Sequence, residues 1–560
     1  MNVYRRVAAI AALLTTGLLA GGCGGPSNQG GTLKRSDINP LPRDRVRQGG
    51  TLHWAIEQFS TQWNSNQLNG PEASTSAVLS GMMPAPFVSD ERGNVWVDRN
   101  YVLSARVTST SPRQVVTYRL NPRARWSDGK PITWRDYEAQ WKALRSPTGP
   151  FQIASSTGYE RIASVKPGRD AHEVVVTFAR RYGEWQGLFG LLYPAATNSD
   201  PERFNRGWLN RIPVTAGPFK LGKIDQTAKT ITIVRDPRWW GPPAKLDSIA
   251  FRALPSDAAI NAFASGEIDV TDVGPDASHY KRVRGVPGAS VREAAGPDFR
   301  HFTFNGTSPA LSDVSVRRAI AMAINRDALV RADLTGLNWP ARTMNNHFFV
   351  NTQTGYRDNA GQVGRFDPAA AGRLLDQAGW RRSGAFRRKG AKTLELRFVI
   401  PSGVPTSRQE GELTQAMLKD AGVKLDIITV PEDQFFDKYI STGNFDIAPF
   451  SWIGTPFPIS SAQSIYVKPT QDARGQLQIQ QNYARIGSPA IDRLMSRAQE
   501  ELSPARARDL INQADRLVWD EVHSIVLFQR PQITATKSKL ANLGSSGLRS
   551  TIYQDIGWAR

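Results

Sequence analysis

Short apolar runs recur along the chain, several with a period of two, and turns rich in glycine and proline separate them. TLHWAI (51–56), TITIV (230–234), DSIAFRAL (247–254) and KTLELRFVI (392–400) alternate or stay apolar long enough to predict strands. Other stretches carry helical spacing. Thr133 and, three residues later, Asp136 form a capping box ahead of the run 134–144, and Asp128 precedes Gly129 in the turn before it. Both carboxylates thereby have structural work, and neither is needed for catalysis. DAAINAFASG (257–266) starts as a helix and stops at its glycine, and Asp313 precedes a helix whose Val316, Ile320, Ala323 and Ile324 share a face, with Arg317 and Arg318 on the other side.

Taken in order, residues 216–274 predict two strands, a proline-rich turn, a third strand, a helix and a fourth strand. Residues 392–430 predict a strand, a helix from Gly411 to Gly422 and a second strand, the unit of a parallel α/β lobe. The predicted fold class is therefore α/β. FDIAPF then leads into a loop at a strand's carboxyl end, where open α/β sheets hold ligands. The whole stretch 445–458, FDIAPFSWIGTPFP, has three phenylalanines, a tryptophan, three prolines and one charge. It offers mostly aromatic faces, rigid backbone and peptide groups, the means to hold a solute more than to react with one.

At 560 residues the chain is too long for one core of ordinary size, so two or three lobes are expected. The formal charge of +20 is spread along the chain. Without a basic face interleaved with aromatics it describes a cationic solvated surface and not a nucleic-acid reader. No GxSxG, P-loop, HExxH or GxGxxG is present, one cysteine excludes CxxC, and the six histidines have no ligand-like spacing. Glu267, Asp269 and Asp272 are explained by a strand end entering a turn. No enzyme activity, catalytic residue, cofactor or metal is expected.

The N-terminus carries its own signal. MNVYRR is cationic and is followed by a 14-residue apolar-to-small run, 7–20, too short to cross a hydrocarbon core about 30 Å thick. LLAGGC (18–23) resembles the bacterial lipobox, with Ala20 where Leu, Val or Ile is usual, and it places the sole cysteine, Cys23, at the lipidation position. Residues 1–22 thus read as a signal peptide and 23–48 as a lipid-anchored flexible tether, putting the body outside the cytoplasm on the cell membrane.

WSDGKPIT, GPFKL, RDPRWWG, SGEID, SDVSVRRAIAMAINRDALV, NFDIAPFSW and HSIVLFQRPQIT, in that order over about 49–560, resemble the family 5 extracellular solute-binding proteins. These are the dipeptide-, oligopeptide- and nickel-binding components of ABC importers. The resemblance implies a two-lobed, periplasmic-binding-protein-like clamp of the cluster C type. Lobe I would hold 49–90, 200–295 and 525–560, with an extra subdomain at 91–199, and lobe II would hold 296–524. It further implies a monomer that captures a peptide or peptide-like solute and delivers it to a membrane permease. The residues it directs to the ligand are Trp452, Gly454, Thr455, Phe450 and Phe457, with Glu57, Trp63 and Phe528 facing the cleft. Peptide-binding relatives carry an aspartate for the peptide's amino terminus where this chain has Thr455, and an arginine where it has Pro449. The W-x-G-x-P form, with Phe457 after the proline, is closer to the nickel-chelator branch. Non-peptide solutes, and a non-transporting regulatory lipoprotein on the same fold, therefore stand as alternatives.

Overall fold

The computed structural model describes residues 32–472 and 474–560; the expected signal peptide and Cys23 lie outside them. The chain enters through β1 (Thr51–Ile56) and then builds a separate antiparallel sheet from β2 (Val102–Ser109), β3 (Val115–Leu120), β4 (Ile162–Pro167) and β5 (Glu173–Phe178). It returns through β6 (Phe219–Asp225), β7 (Thr230–Arg235), β8 (Ser248–Ala253) and β9 (Val270–Asp272). It leaves again along β10 (Ala289–Phe304), makes β11 (Glu395–Pro401), β12 (Lys424–Val430) and β13 (Ile447–Ile453), and comes back along β14 (Ser524–Lys537). The main sheet has ten strands in the order β12-β11-β13-β10-β14-β9-β1-β8-β7-β6, and the small one runs β2-β3-β5-β4.

Two long strands join the lobes. β10 and β14 pair from Ala289 with Lys537 at one end to Thr303 with Ser524 at the other. Between Ala295 and Phe299 the ladder breaks, leaving Gly296, Pro297 and Asp298 outside it. Proline has no N–H to give the ladder, so the bulge falls where the sequence cannot sustain pairing. On either side the cores are distinct. One gathers Leu52, Ile249 and Phe251 with Tyr118 and Val176 of the small sheet, and the other gathers Phe302, Phe304, Ile320, Phe398 and Leu425.

The local signals act as their chemistry requires. Helix α1 (Trp134–Leu144) opens with the capping box, Asp136 Oδ2 accepting from the Thr133 N–H at 2.8 Å. Helix α2 (Ser256–Ser265) ends at Gly266 with φ of 86°, a left-handed position that glycine reaches without strain. Helix α3 (Val314–Ala323) is capped by Asp313 and buries Val316, Ile320 and Ala323, with Ile324 beyond its end. Arg317 is also buried, because the Leu311 and Glu521 carbonyls accept from its guanidinium at 2.8 and 2.9 Å. Helix α4 (Arg326–Asp333) follows. Helix α5 (Pro405–Asp420) starts at Pro405 and not at Gly411, since proline at the first position brings a helical φ and gives up an N–H that needs no partner there. The parallel unit is β11–α5–β12.

Two expectations need correction. β13 continues to Ile453, so Trp452 belongs to a strand and the loop begins at Gly454. Residues 32–48 are docked on the body and are no free tether: Leu33 and Val46 are buried, and the Asp37 N–H donates to the Ser545 carbonyl at 2.7 Å. Among the described residues no helix is long and apolar enough to cross a membrane.

Candidate functional site

At the carboxyl ends of β11 and β12, beside the strand crossing, lies a cavity of about 440 Å³. The turn after β11 contributes Val404 and the first turn of α5 Ser407, the segment after β12 contributes Phe435 and Phe436, and β13 contributes Phe450 and Ser451. The long strands add Arg300, Phe528 and Arg530, and the end of α4 adds Asp333.

Its floor is ionic. The Arg300 guanidinium donates to Glu410 in bidentate fashion, Nε to Oε1 at 2.8 Å and Nη2 to Oε2 at 2.5 Å, and to Ser407 Oγ at 2.9 Å. Such a planar two-point match is what makes burying both charges tolerable. Asp333 lies beside this pair, and neither carboxyl oxygen finds a hydrogen-bond partner among the described residues. Burial first, then the Glu410 charge, pushes its pKa up to about 9, so at neutral pH it is a neutral acid with a proton to share.

Arg530 is different. It sits opposite the bulge, donates no hydrogen bond to a described residue, and has Asp298 as its carboxylate neighbour at 3.8 Å. Asp272, at the end of β9, is an exposed residue whose carboxyl is crowded by its surroundings. Burial, and further down the charges of Glu57 and Asp298, raise its pKa, while the Gly274 N–H and Arg530 pull it back. The walls are aromatic. Phe450 packs edge-on to Phe436 and to Trp452 at 5.4 and 5.3 Å between ring centroids. Trp452 stacks on Tyr483 with 5° between the planes and on His301 with 14°.

The structure brings together Phe450 and Phe528 at this cavity, while Glu57 is exposed, near Asp272, and outside the cavity's lining. Trp452 stands behind Phe450 as wall support. Gly454 and Thr455 act at the edge: the Gly454 N–H donates to the Pro297 carbonyl at 2.9 Å, and the Thr455 carbonyl accepts from Gln353 at 2.8 Å. Phe457 lines a different cavity, of about 280 Å³, and rests against Gly187. Trp63 is corrected outright. It is 1% exposed, in the core, with its carbonyl accepting from Tyr193 at 2.8 Å. Sequence reasoning missed Arg300, Glu410, Asp333 and Arg530. The available signal, for the two arginines, was a cation set among aromatic and aliphatic strand residues, as in FRHF and VLFQRP.

A sequence model of the bacterial extracellular solute-binding proteins, family 5 (middle region), matches residues 102–474. The oligopeptide-binding protein OppA of Mycobacterium tuberculosis is 41% identical over 531 residues, 94% of this chain and 87% of the relative. Among solved structures, the periplasmic EDTA-binding protein EppA superposes with a TM-score of 0.84 at 25% identity, covering 95% of this chain and 100% of its own. The oligopeptide-binding protein AppA of Bacillus subtilis, in complex with a nonapeptide, gives 0.73 at 17% identity over 92% of this chain and 100% of its own. With its two lobes joined by paired strands and a cavity at their junction, this chain belongs to the bacterial extracellular solute-binding proteins of family 5.

Proposed function

We propose that this chain is the substrate-binding lipoprotein of a peptide ABC importer. It is exported, held on the cell membrane by lipid on Cys23, and works as a monomer that presents its closed form to a permease. The observation that carries the reading is the aromatic and ionic cavity at the strand crossing, beside a bulge that lets the lobes hinge over a bound solute. The 41% identity to an oligopeptide-binding protein supports a peptide as that solute. Native mass spectrometry of protein purified from its own envelope tests it. Released peptides, and a rise in melting temperature on adding them back, are expected; an empty protein that responds to no peptide panel refutes it.

A second reading is favoured by one observation. Thr455 and Pro449 stand where peptide anchors are expected, and the Thr455 hydroxyl already accepts from the Phe457 N–H at 3.0 Å. An unpaired peptide ammonium would be costly beside it. Together with the likeness to an EDTA-binding protein, this favours a non-peptide, carboxylate-bearing solute or chelate. A single such compound released on denaturation would select it.

A further inference from the structure

The small sheet does more than extend lobe I. Just past β5, Glu184 reaches across to lobe II and closes on the start of helix α6 (Pro458–Tyr466), which follows directly from the 449–457 wall and edge of the site. Its Oε1 accepts from the Ile459 N–H at 3.0 Å, and its Oε2 accepts from the Ser460 N–H at 2.7 Å and the Ser460 hydroxyl at 2.5 Å. A carboxylate on two free amides and a hydroxyl at a helix N-terminus is matched in both charge and geometry. Burial pushes the Glu184 carboxyl upward, and the Ser460 hydroxyl and the two amides draw it back.

Neighbouring contacts run in the same direction. The Gly183 N–H donates to the Gln499 carbonyl at 2.7 Å, where a side chain at 183 would strike the Glu501 carbonyl. Arg161, 6% exposed, donates to the Gln499 side chain and meets Glu500 at 3.2 Å, both on α7 (Pro489–Glu500). The small sheet shares its core with lobe I, and the covalent links to lobe II are the two long strands. A rotation about the bulge that parts the small sheet from α6 pulls Glu184 off these donors.

We propose that Glu184 is a positioning residue that clasps the lobes shut and holds the start of α6, and with it the 450–457 segment, in the solute-retaining geometry. The inference follows from the two-lobed fold and holds for a peptide or any other solute. In the open state water satisfies the same donors, so the clasp biases the equilibrium between states without fixing it.

The test uses solute-free full-length protein and the variants Glu184→Gln and Ser460→Ala. Small-angle scattering is expected to give a larger radius of gyration for E184Q than for wild type. Hydrogen exchange at the Ile459 and Ser460 amides should quicken by about tenfold, while exchange in α1 and β10 stays unchanged. S460A keeps the carboxylate and should show the same pattern more weakly. Unchanged scattering and exchange in both variants overturn the proposal. Exchange rising equally in α1 and β10 also overturns it, since Glu184 would then be a general stabiliser and no clasp.

Discussion

Replacing Glu410 by glutamine removes the counter-ion of Arg300 at the floor of the cavity. The two side chains are 0% and 11% exposed, so the loss falls on a buried guanidinium. Removing one partner of a buried pair ordinarily costs about 3–5 kcal/mol. Here Asp333 is in reserve. Its proton is held by burial first and by the Glu410 charge second, against the opposing pull of Arg300. Without Glu410 the second push disappears while the pull remains, so Asp333 ionises and takes over as counter-ion. E410Q is then expected to cost only about 1–2 kcal/mol and D333N about 0–1, while the double variant, with no carboxylate left, should cost about 3–5. Urea unfolding of the four proteins at pH 7 gives the coupling directly; additivity within about 0.5 kcal/mol would refute the argument.

The same group fixes a pH slope of known sign. A carboxyl whose folded pKa is raised keeps a proton that the unfolded chain has lost between pH about 4 and 9. Its contribution to stability falls as pH rises through that window. D333N stays neutral throughout, so its stability relative to wild type should improve from pH 5 to pH 8.

Two further outcomes follow from the fold. Burial pushes His523 down to about 3, so the unfolded chain takes up its proton first and this residue's contribution is lost as pH falls below 6.5. The stability advantage of wild type over H523Q should change by about 2 kcal/mol against wild type between pH 7 and pH 5, and an unchanged difference in urea midpoints would refute it. A Cβ at Gly454 would lie 2.7 Å from the Pro297 carbonyl oxygen, a backbone atom that cannot swing aside. G454A should therefore cost about 1–3 kcal/mol, seen as a lower calorimetric melting temperature, and a melting temperature equal to wild type refutes the contact.

The fold was legible wherever its determinants are neighbours in sequence. The Thr133–Asp136 box, the Gly266 stop and the Asp313 cap each depend on three or four adjacent residues, and helix bounds there match the pattern. Periodicity likewise places β7, β8, β11 and β12, because alternation records which face a strand buries. The site was only partly legible. Phe450 follows from the aromatic stretch 445–458 and Phe528 from the family resemblance, but Trp63, taken from the same resemblance, went into the core because Trp208 and Tyr193 fold over it. Nothing local distinguishes a tryptophan beside a cleft from one beneath a loop.

The ionic floor was illegible for a related reason: Arg300, Asp333, Glu410 and Arg530 come from four separate segments, and each is unremarkable among its own neighbours. What the sequence does hold is a conflict, a cation set directly among aromatic and aliphatic strand residues, as in FRHF and VLFQRP, and such a conflict must be resolved by a partner somewhere in the fold. Arg300 resolves it through a bidentate pair with Glu410 and a hydrogen bond to Ser407. Arg530, with Asp298 at 3.8 Å and no side-chain hydrogen bond donated to a described residue, resolves it only in part. The two arginines therefore differ, Arg300 tying α5 to the crossing strand through Glu410 and Ser407, and Arg530 lining the same cavity with Asp298 as its carboxylate neighbour. Of the two charges in this crossing region, one therefore braces the cavity through Glu410 and the other lines it with only a loosely held carboxylate neighbour.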